Sequence, residues 1–167
     1  MLKVKLFFYL YTVKILDDKF RTLMKIMIAS DLSENSLLMI EEGIKLARQL
    51  NGAVWIIHVV DNTSQYSNLT PGLLKVWNWE EIEQYAIEFL TRETQKYGDV
   101  DKEVMVRIGD PKKEIIEQAT KLEISYLVIG THGKTGLSHW VVGSNAEYLI
   151  RHTTVPVIVI PYRREAH

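Results

Sequence analysis

The sequence predicts an α/β fold: a single doubly wound domain with a five-stranded parallel sheet flanked by helices on both faces, preceded by an N-terminal extension. Three observations carry that prediction. Short apolar runs alternate with longer stretches whose apolar residues recur every three or four positions. The runs show no polar alternation, as expected of strands buried on both faces. The length of 167 residues suits one domain, and strands that alternate with helices imply parallel pairing through right-handed crossovers.

Residues 1–23 form the extension and 24–167 the domain. The extension carries five cations (Lys3, Lys5, Lys14, Lys19, Arg21) against two anions (Asp17, Asp18), so most of the chain's acidity lies beyond it. Its run Leu6 to Tyr11 is too short for a secretory signal, is followed by Lys14, and has no small-residue cleavage site after it. Its aromatic and β-branched residues suit an added strand or a segment covering a sheet edge. A biological start at Met24 is the other reading.

Ile26 to Ala29 reads as the first strand, feeding the polar cluster Ser30 to Ser36, where N-cap residues are plentiful. Leu37, Ile40, Ile44 and Ala47 then mark one face of a helix that Asn51-Gly52 ends. Val54 to Val60 is a second strand, apolar except at His58. The connection from 61 to 79, rich in Asn, Ser, Gln, Pro and Gly, is long enough to suggest a lid or contact surface. Glu80 to Tyr97 reads as a helix stopped at Gly98, and Val104 to Val106 as a short third strand. Pro111 fits the first turn of a helix whose apolar face is Ile115, Ile116, Ala119 and Leu122. Tyr126 to Ile129 forms a fourth strand, a glycine-rich loop runs from Gly130, a helix begins near Gly143, and Val155 to Ile160 is the fifth strand.

Composition excludes several classes. The net charge is −1, with 25% charged and 47% hydrophobic residues, so the chain is neither disordered nor a polybasic nucleic-acid binder. The absence of cysteine removes disulfides, Cys-ligated zinc, iron–sulfur clusters and thiol catalysis. No apolar run approaches the roughly 18–20 residues of a membrane helix, so neither a nucleic-acid nor a membrane partner is expected.

Open parallel sheets bind ligands at the carboxyl ends of strands, where the strand order reverses. If the first and fourth strands flank that point, the Ser30-Asp31 turn and the Gly130 loop face one crevice. The loop's glycines leave backbone N–H groups open to close approach, and the helix opening at Gly143-Ser144 offers the positive end of its dipole. Phosphate is the natural guest: the Ser144 hydroxyl can donate to it, while Asp31 can accept from ribose hydroxyls. Two familiar loops do not fit. Gly133-Lys134-Thr135 would end a P-loop, but the glycine required five residues earlier is Val128. The dinucleotide fingerprint is missing after the first strand, where Ala29-Ser30-Asp31 stands.

The loop instead reads Gly, two residues, Gly, nine residues, Gly-Ser, met by Gly130, Gly133, Gly143 and Ser144. This resembles the universal stress protein family, specifically its ATP-binding branch, over about residues 24–162. Ile28-Ala29-Ser30-Asp31-Leu32-Ser33-Glu34 is similar to that family's first strand and acidic turn, Ile57-His58-Val59 to its second strand, Gly109-Asp110-Pro111 to its third turn, and Val155 to Ile160 to its closing strand. The resemblance implies an adenine nucleotide alpha hydrolase-like fold, ATP as ligand, and Mg²⁺ held mainly by the phosphates. It implies that Asp31, after Ser30, contacts the sugar or base and that Val59 lines the adenine pocket beside Ala29, smaller than the family's usual residue there. Gly130, Thr131, His132 and Gly133 would wrap the ribose and phosphates, and Gly143, Ser144, Asn145 and Ala146 would hold the phosphate tail. It also implies a homodimer through residues 155–160.

Other polar residues have plainer readings. His132 and His139 suit a polar turn, since a catalytic base needs a partner group near a reacting atom. His58 suits a core or pocket position, having no second ligand at metal spacing in its strand. Lys134 suits either a phosphate neighbour or a solvated loop residue. The expectation is a cytoplasmic ATP-binding stress or signalling switch with an unidentified protein partner and at most slow ATP hydrolysis. Two alternatives stay open on the residues alone: a dimeric interaction protein of the same fold that binds no nucleotide, and a true phosphotransferase.

Overall fold

The computed structural model describes residues 24–62, 79–131 and 143–161. Strand β1 (Lys25–Ala29) leads through a Ser33 N-cap into helix α1 (Glu34–Leu50), which ends on Asn51 in the left-handed conformation. Strand β2 (Ala53–Asp61), helix α2 (Trp79–Thr94), strand β3 (Lys102–Gly109), helix α3 (Pro111–Lys121), strand β4 (Tyr126–Gly130), helix α4 (Ser144–His152) and strand β5 (Val157–Ile160) follow. Asp110 caps α3, and Pro111 occupies its first turn, where a missing N–H costs nothing.

The five strands form one parallel sheet in the order β3-β2-β1-β4-β5. Side-chain alternation sorts the core onto its two faces. Ile26, Ile28, Val54, Ile56 and Val128 meet Met39, Ile40, Ile44 and Ala47 of α1 on one side, joined by Leu90 of α2. On the other side Met27, Ile57, Val59, Leu127 and Ile129 meet Ile115 and Ala119 of α3 and Ala146 and Leu149 of α4. A sheet buried on both faces explains why its strands carry little polar alternation.

The element bounds differ from the sequence reading in two places. Strand β3 spans eight residues rather than three, because its pairing with β2 runs from Val54↔Lys102 to Asp61↔Gly109 and is fixed by the partner strand. Strand β5 starts at Val157 rather than Val155, just after Pro156, which has no N–H to give a ladder. The expected extension at 1–23 and most of the 61–79 connection lie outside the described residues. No described helix is long and apolar enough to cross a membrane.

An exposed clip ties α1 to the turn before β3. Arg48 Nε donates to Asp99 Oδ2 at 2.6 Å and Nη2 donates to Oδ1 at 2.8 Å. The bond from Arg48 holds the Asp99 carboxyl below its ordinary value. Solvent screens such a pair, so its effect on stability is small. Its sign is fixed: the contribution is full above the ordinary aspartate value and is lost as pH falls through the lowered native one. Urea midpoints of the wild type and Asp99→Asn should therefore differ at neutral pH and converge in acid. A gap unchanged into strong acid would show that the ion pair is not its source.

Candidate functional site

Strands β1 and β4 are neighbours at the centre of the sheet, yet the chain leaves β1 for α1 on one face and reaches α4 on the other after β4. This is the point of reversal where open α/β sheets leave a crevice, and it meets the condition set from sequence.

At the end of β1 the backbone turns at once. Ser30 N–H donates to the Ile57 carbonyl at 2.8 Å, and the Ser30 carbonyl accepts from His58 Nδ1–H at 2.8 Å. His58 is thus a buried histidine that fixes the turn. The buried Ser30 hydroxyl donates to Ser36 Oγ at 2.9 Å and accepts from Leu32 N–H at 3.2 Å, so it serves the turn itself. Leu32 has φ 63°, a left-handed conformation that costs a non-glycine residue about 1–2 kcal/mol. Its side chain packs against the core below, which offsets that strain.

Asp31 stands inside this turn. Its Oδ1 accepts from Ser33 N–H at 3.1 Å and from Ser33 Oγ–H at 2.5 Å. Its Oδ2 is closed off from solvent and has no hydrogen-bond partner among the described residues. A carboxylate oxygen left so is costly, at about 1–3 kcal/mol or more for a charged group, and a donor from outside the chain would complete it.

Beside Asp31, Ala29 and Val59 lie on the α3/α4 face of the sheet, and Ala29 pairs with Ile57 two positions before Val59. They place two apolar side chains at that end of the sheet. On the far side β4 ends at Gly130, and Thr131 N–H donates to the Ile160 carbonyl at 3.2 Å. The Thr131 carbonyl accepts from Gly143 N–H at 2.8 Å, which brings the start of α4 back to the end of β4.

Helix α4 has no side-chain cap, and its first internal bond runs from Glu147 N–H to the Gly143 carbonyl at 2.9 Å. The N–H groups of Ser144, Asn145 and Ala146 therefore have no acceptor within the helix. Ser144 and Asn145 are exposed, whereas the Ala146 side chain is buried in the core, so only its backbone faces the helix end. Gly143 has φ −59°, and a Cβ there would sit 3.5 Å from the Thr131 carbonyl oxygen, an ordinary contact.

Ala29, Ser30, Asp31, Val59, Gly130, Thr131 and Gly143 to Ala146 thus gather at one end of the sheet. His132 and Gly133, with the remaining loop residues to 142, lie outside the described residues. Sequence reasoning gave Ser33 no role of its own, although an Asp-x-Ser spacing after a strand is a known signal for a side chain that closes on the backbone two residues ahead. Chemically, this end of the sheet holds a carboxylate with one shielded oxygen lacking a donor and a helix N-terminus without a side-chain cap, both among the described residues. That suits a ligand with hydroxyl or amino donors at one end and an anion at the other.

Comparison with known proteins gives a consistent result. The profile described as Universal stress protein family matches residues 22–161. The chain is 33% identical over 144 residues to a universal stress protein of Methanocaldococcus jannaschii, covering 81% of each. Its fold is similar to that of the universal stress protein UspA from Lactobacillus plantarum, with a TM-score of 0.70 and 23% identity, covering 82% of this chain and 97% of that one. It is also similar to a universal stress protein from Archaeoglobus fulgidus solved in complex with dAMP, with a TM-score of 0.59 and 21% identity, covering 81% of this chain and 96% of that one.

Proposed function

Because the chain belongs to the universal stress protein family, we propose that it binds an adenine nucleotide, ATP, at the C-terminal end of its sheet and acts as a homodimeric stress or signalling switch in the cytoplasm. The observation that carries this reading is Asp31, whose shielded Oδ2 has no donor among the described residues, at the same end of the sheet as a helix N-terminus with no side-chain cap among them. A nucleotide supplies what each lacks: donor groups on its sugar and base, and anionic phosphates. The Archaeoglobus fulgidus relative, solved with dAMP, supports an adenine nucleotide as the ligand class.

In this reading Asp31 accepts from a sugar hydroxyl, and adenine lies on Ala29 and Val59. Gly130, Thr131, His132 and Gly133 wrap the ribose and first phosphates. The N–H groups of Ser144, Asn145 and Ala146 and the Ser144 hydroxyl take the phosphate tail, with Gly143 permitting its approach. Mg²⁺, held mainly by the phosphate oxygens, neutralises part of their charge. Residues 155–160 are the proposed dimer contact, since β5 is an edge strand among the described residues and such an edge can pair with a second chain. The bound state would be read by a protein partner, with at most slow hydrolysis.

The test is to denature the purified protein and identify released nucleotide, then titrate ATP, ADP and AMP with Mg²⁺ into stripped protein by calorimetry. Saturable ATP binding is expected. Gly143→Val, whose Cβ the backbone accommodates, should weaken ATP at least about tenfold while costing about 1 kcal/mol or less of helix cap. Undiminished affinity in that variant would remove the assigned phosphate site. No adenine nucleotide binding at millimolar concentration would leave a dimeric interaction protein instead.

A further inference from the structure

The Asp31 carboxylate presents its two oxygens unequally. A carboxylate has about four lone-pair sites shared between two oxygens, and Ser33 fills Oδ1 with two donors, its N–H and its hydroxyl. Of the two oxygens, shielded Oδ2 is the one with no donor among the described residues.

The same Ser33 oxygen accepts from Ser36 N–H at 3.3 Å and so caps α1. Ser36 Oγ in turn donates to the Ser33 carbonyl at 2.7 Å and accepts from Ser30 Oγ. Asp31 is therefore fastened to the first turn of a seventeen-residue helix whose inner face is core. Leu32, left-handed between Asp31 and Ser33, completes the short link.

We infer that Ser33 is a positioning residue that, by occupying Oδ1, makes Asp31 a single-acceptor reader of the nucleotide sugar, satisfied by one hydroxyl and blind to the second. The inference rests on the nucleotide-binding reading above. A carboxylate with both oxygens free would span the ribose diol and lose affinity when either hydroxyl is removed. With Oδ1 occupied, a nucleotide keeping either hydroxyl still supplies the one donor that Oδ2 takes. The ligand class is thus a nucleotide with at least one free sugar hydroxyl.

The experiment is calorimetric titration of the full-length, nucleotide-stripped protein with ATP, 2′-deoxyATP, 3′-deoxyATP and 2′,3′-dideoxyATP, for the wild type, Ser33→Thr, Ser33→Ala and Ser33→Asp. The wild type should bind both monodeoxy compounds within about threefold of ATP and the dideoxy compound at least about tenfold more weakly, the range expected for one hydrogen bond to a charged group. Ser33→Thr keeps both donor and cap, and should reproduce this pattern. Ser33→Asp keeps a good cap but lacks the hydroxyl donor and adds a like charge. With that donor gone Oδ1 is open to a second sugar hydroxyl, so each monodeoxy compound should now bind at least about tenfold more weakly than ATP. Ser33→Ala should gain the same monodeoxy penalty and lose some helix stability, since the cap goes with the hydroxyl.

A tenfold loss with each monodeoxy compound in the wild type would overturn the single-acceptor reading, as would monodeoxy compounds that still bind Ser33→Asp and Ser33→Ala within about threefold of ATP. Both tests require only that the wild type bind ATP. Complete failure of the wild type to bind it would overturn the nucleotide reading and this inference together, whereas normal ATP binding with unchanged discrimination in the variants would overturn this inference alone.

Discussion

Gly43→Leu is expected to lower the unfolding free energy by about 3 kcal/mol, the upper end of what overpacking a core costs. Gly43 lies in the middle of α1 on the face pressed against the sheet. A Cβ there would come within 2.8 Å of Ile28 Cγ1 and closer still to its Cδ1, with Val128 Cγ1 at 3.8 Å. Ile28 and Val128 are fully buried, so neither side chain has space to yield into. Helix propensity works the other way, since a glycine in a helix interior costs about 1 kcal/mol relative to alanine. Alanine already carries the clashing Cβ, so Gly43→Ala should also destabilise despite its better propensity, and the rest of the leucine side chain adds to the clash.

Thermal unfolding should show the leucine variant melting about 6–12 °C below the wild type, at about 2–4 °C per kcal/mol for a chain of this size. A double-mutant cycle identifies the cause. Ile28→Val removes Cδ1 and alone costs about 0.5–1.5 kcal/mol. Combined with Gly43→Leu it should cost less than the sum, because it opens the space that leucine needs. Strictly additive losses would show that the close approach of α1 to β1 is not the reason for glycine here.

The position of Gly43 also shows how far the sequence could be read. The strands were legible because each is an apolar run covered on both faces, and the helices because Ile40, Ile44 and Ala47, or Ile115 and Ala119, repeat at helical spacing. What single-chain periodicity does not contain is the partner. The length of β3 follows its register with β2, and its opening residues Lys102 and Glu103 resemble loop composition; Trp55 Nε1 donates to Glu103 across the pair at 3.1 Å. Strand order could be stated only as a condition, since it depends on contacts between residues such as Ile26 and Tyr126 that lie far apart in the chain.

The candidate site divides in the same way. Asp31 and the loop glycines were legible by residue type and spacing, because a carboxylate after a strand and glycine before a helix have chemical meaning without tertiary structure. The left-handed Leu32 was not, since leucine is among the residues least suited to that conformation and nothing local announces it. The Ser33 clamp, which leaves one oxygen of Asp31 open, becomes visible only once the turn is built.

Asp31→Asn is expected to move affinity and stability in opposite directions. The amide keeps a carbonyl oxygen to accept from the Ser33 N–H and hydroxyl, so the turn should close as before. At the other position an acceptor becomes an NH₂ group, which cannot accept from a sugar hydroxyl. ATP should therefore bind at least about tenfold more weakly, and up to about a hundredfold, the worth of a hydrogen bond to a charged group. Without ligand the substitution replaces a shielded, partnerless carboxylate oxygen with a neutral group that is less costly to leave unpaired. The unliganded protein should then melt at the wild-type temperature or up to about 4 °C above it, for a gain of about 1 kcal/mol.

Paired melts with and without Mg-ATP read both effects. At a concentration about 100 times the wild-type Kd, ATP should stabilise the wild type by about 2.7 kcal/mol, and a tenfold loss of affinity removes about half of that. An unliganded variant that melts well below the wild type would mean that Asp31 serves the turn rather than a ligand. A variant that keeps its full stabilisation by ATP would mean that Oδ2 is not where the nucleotide is held.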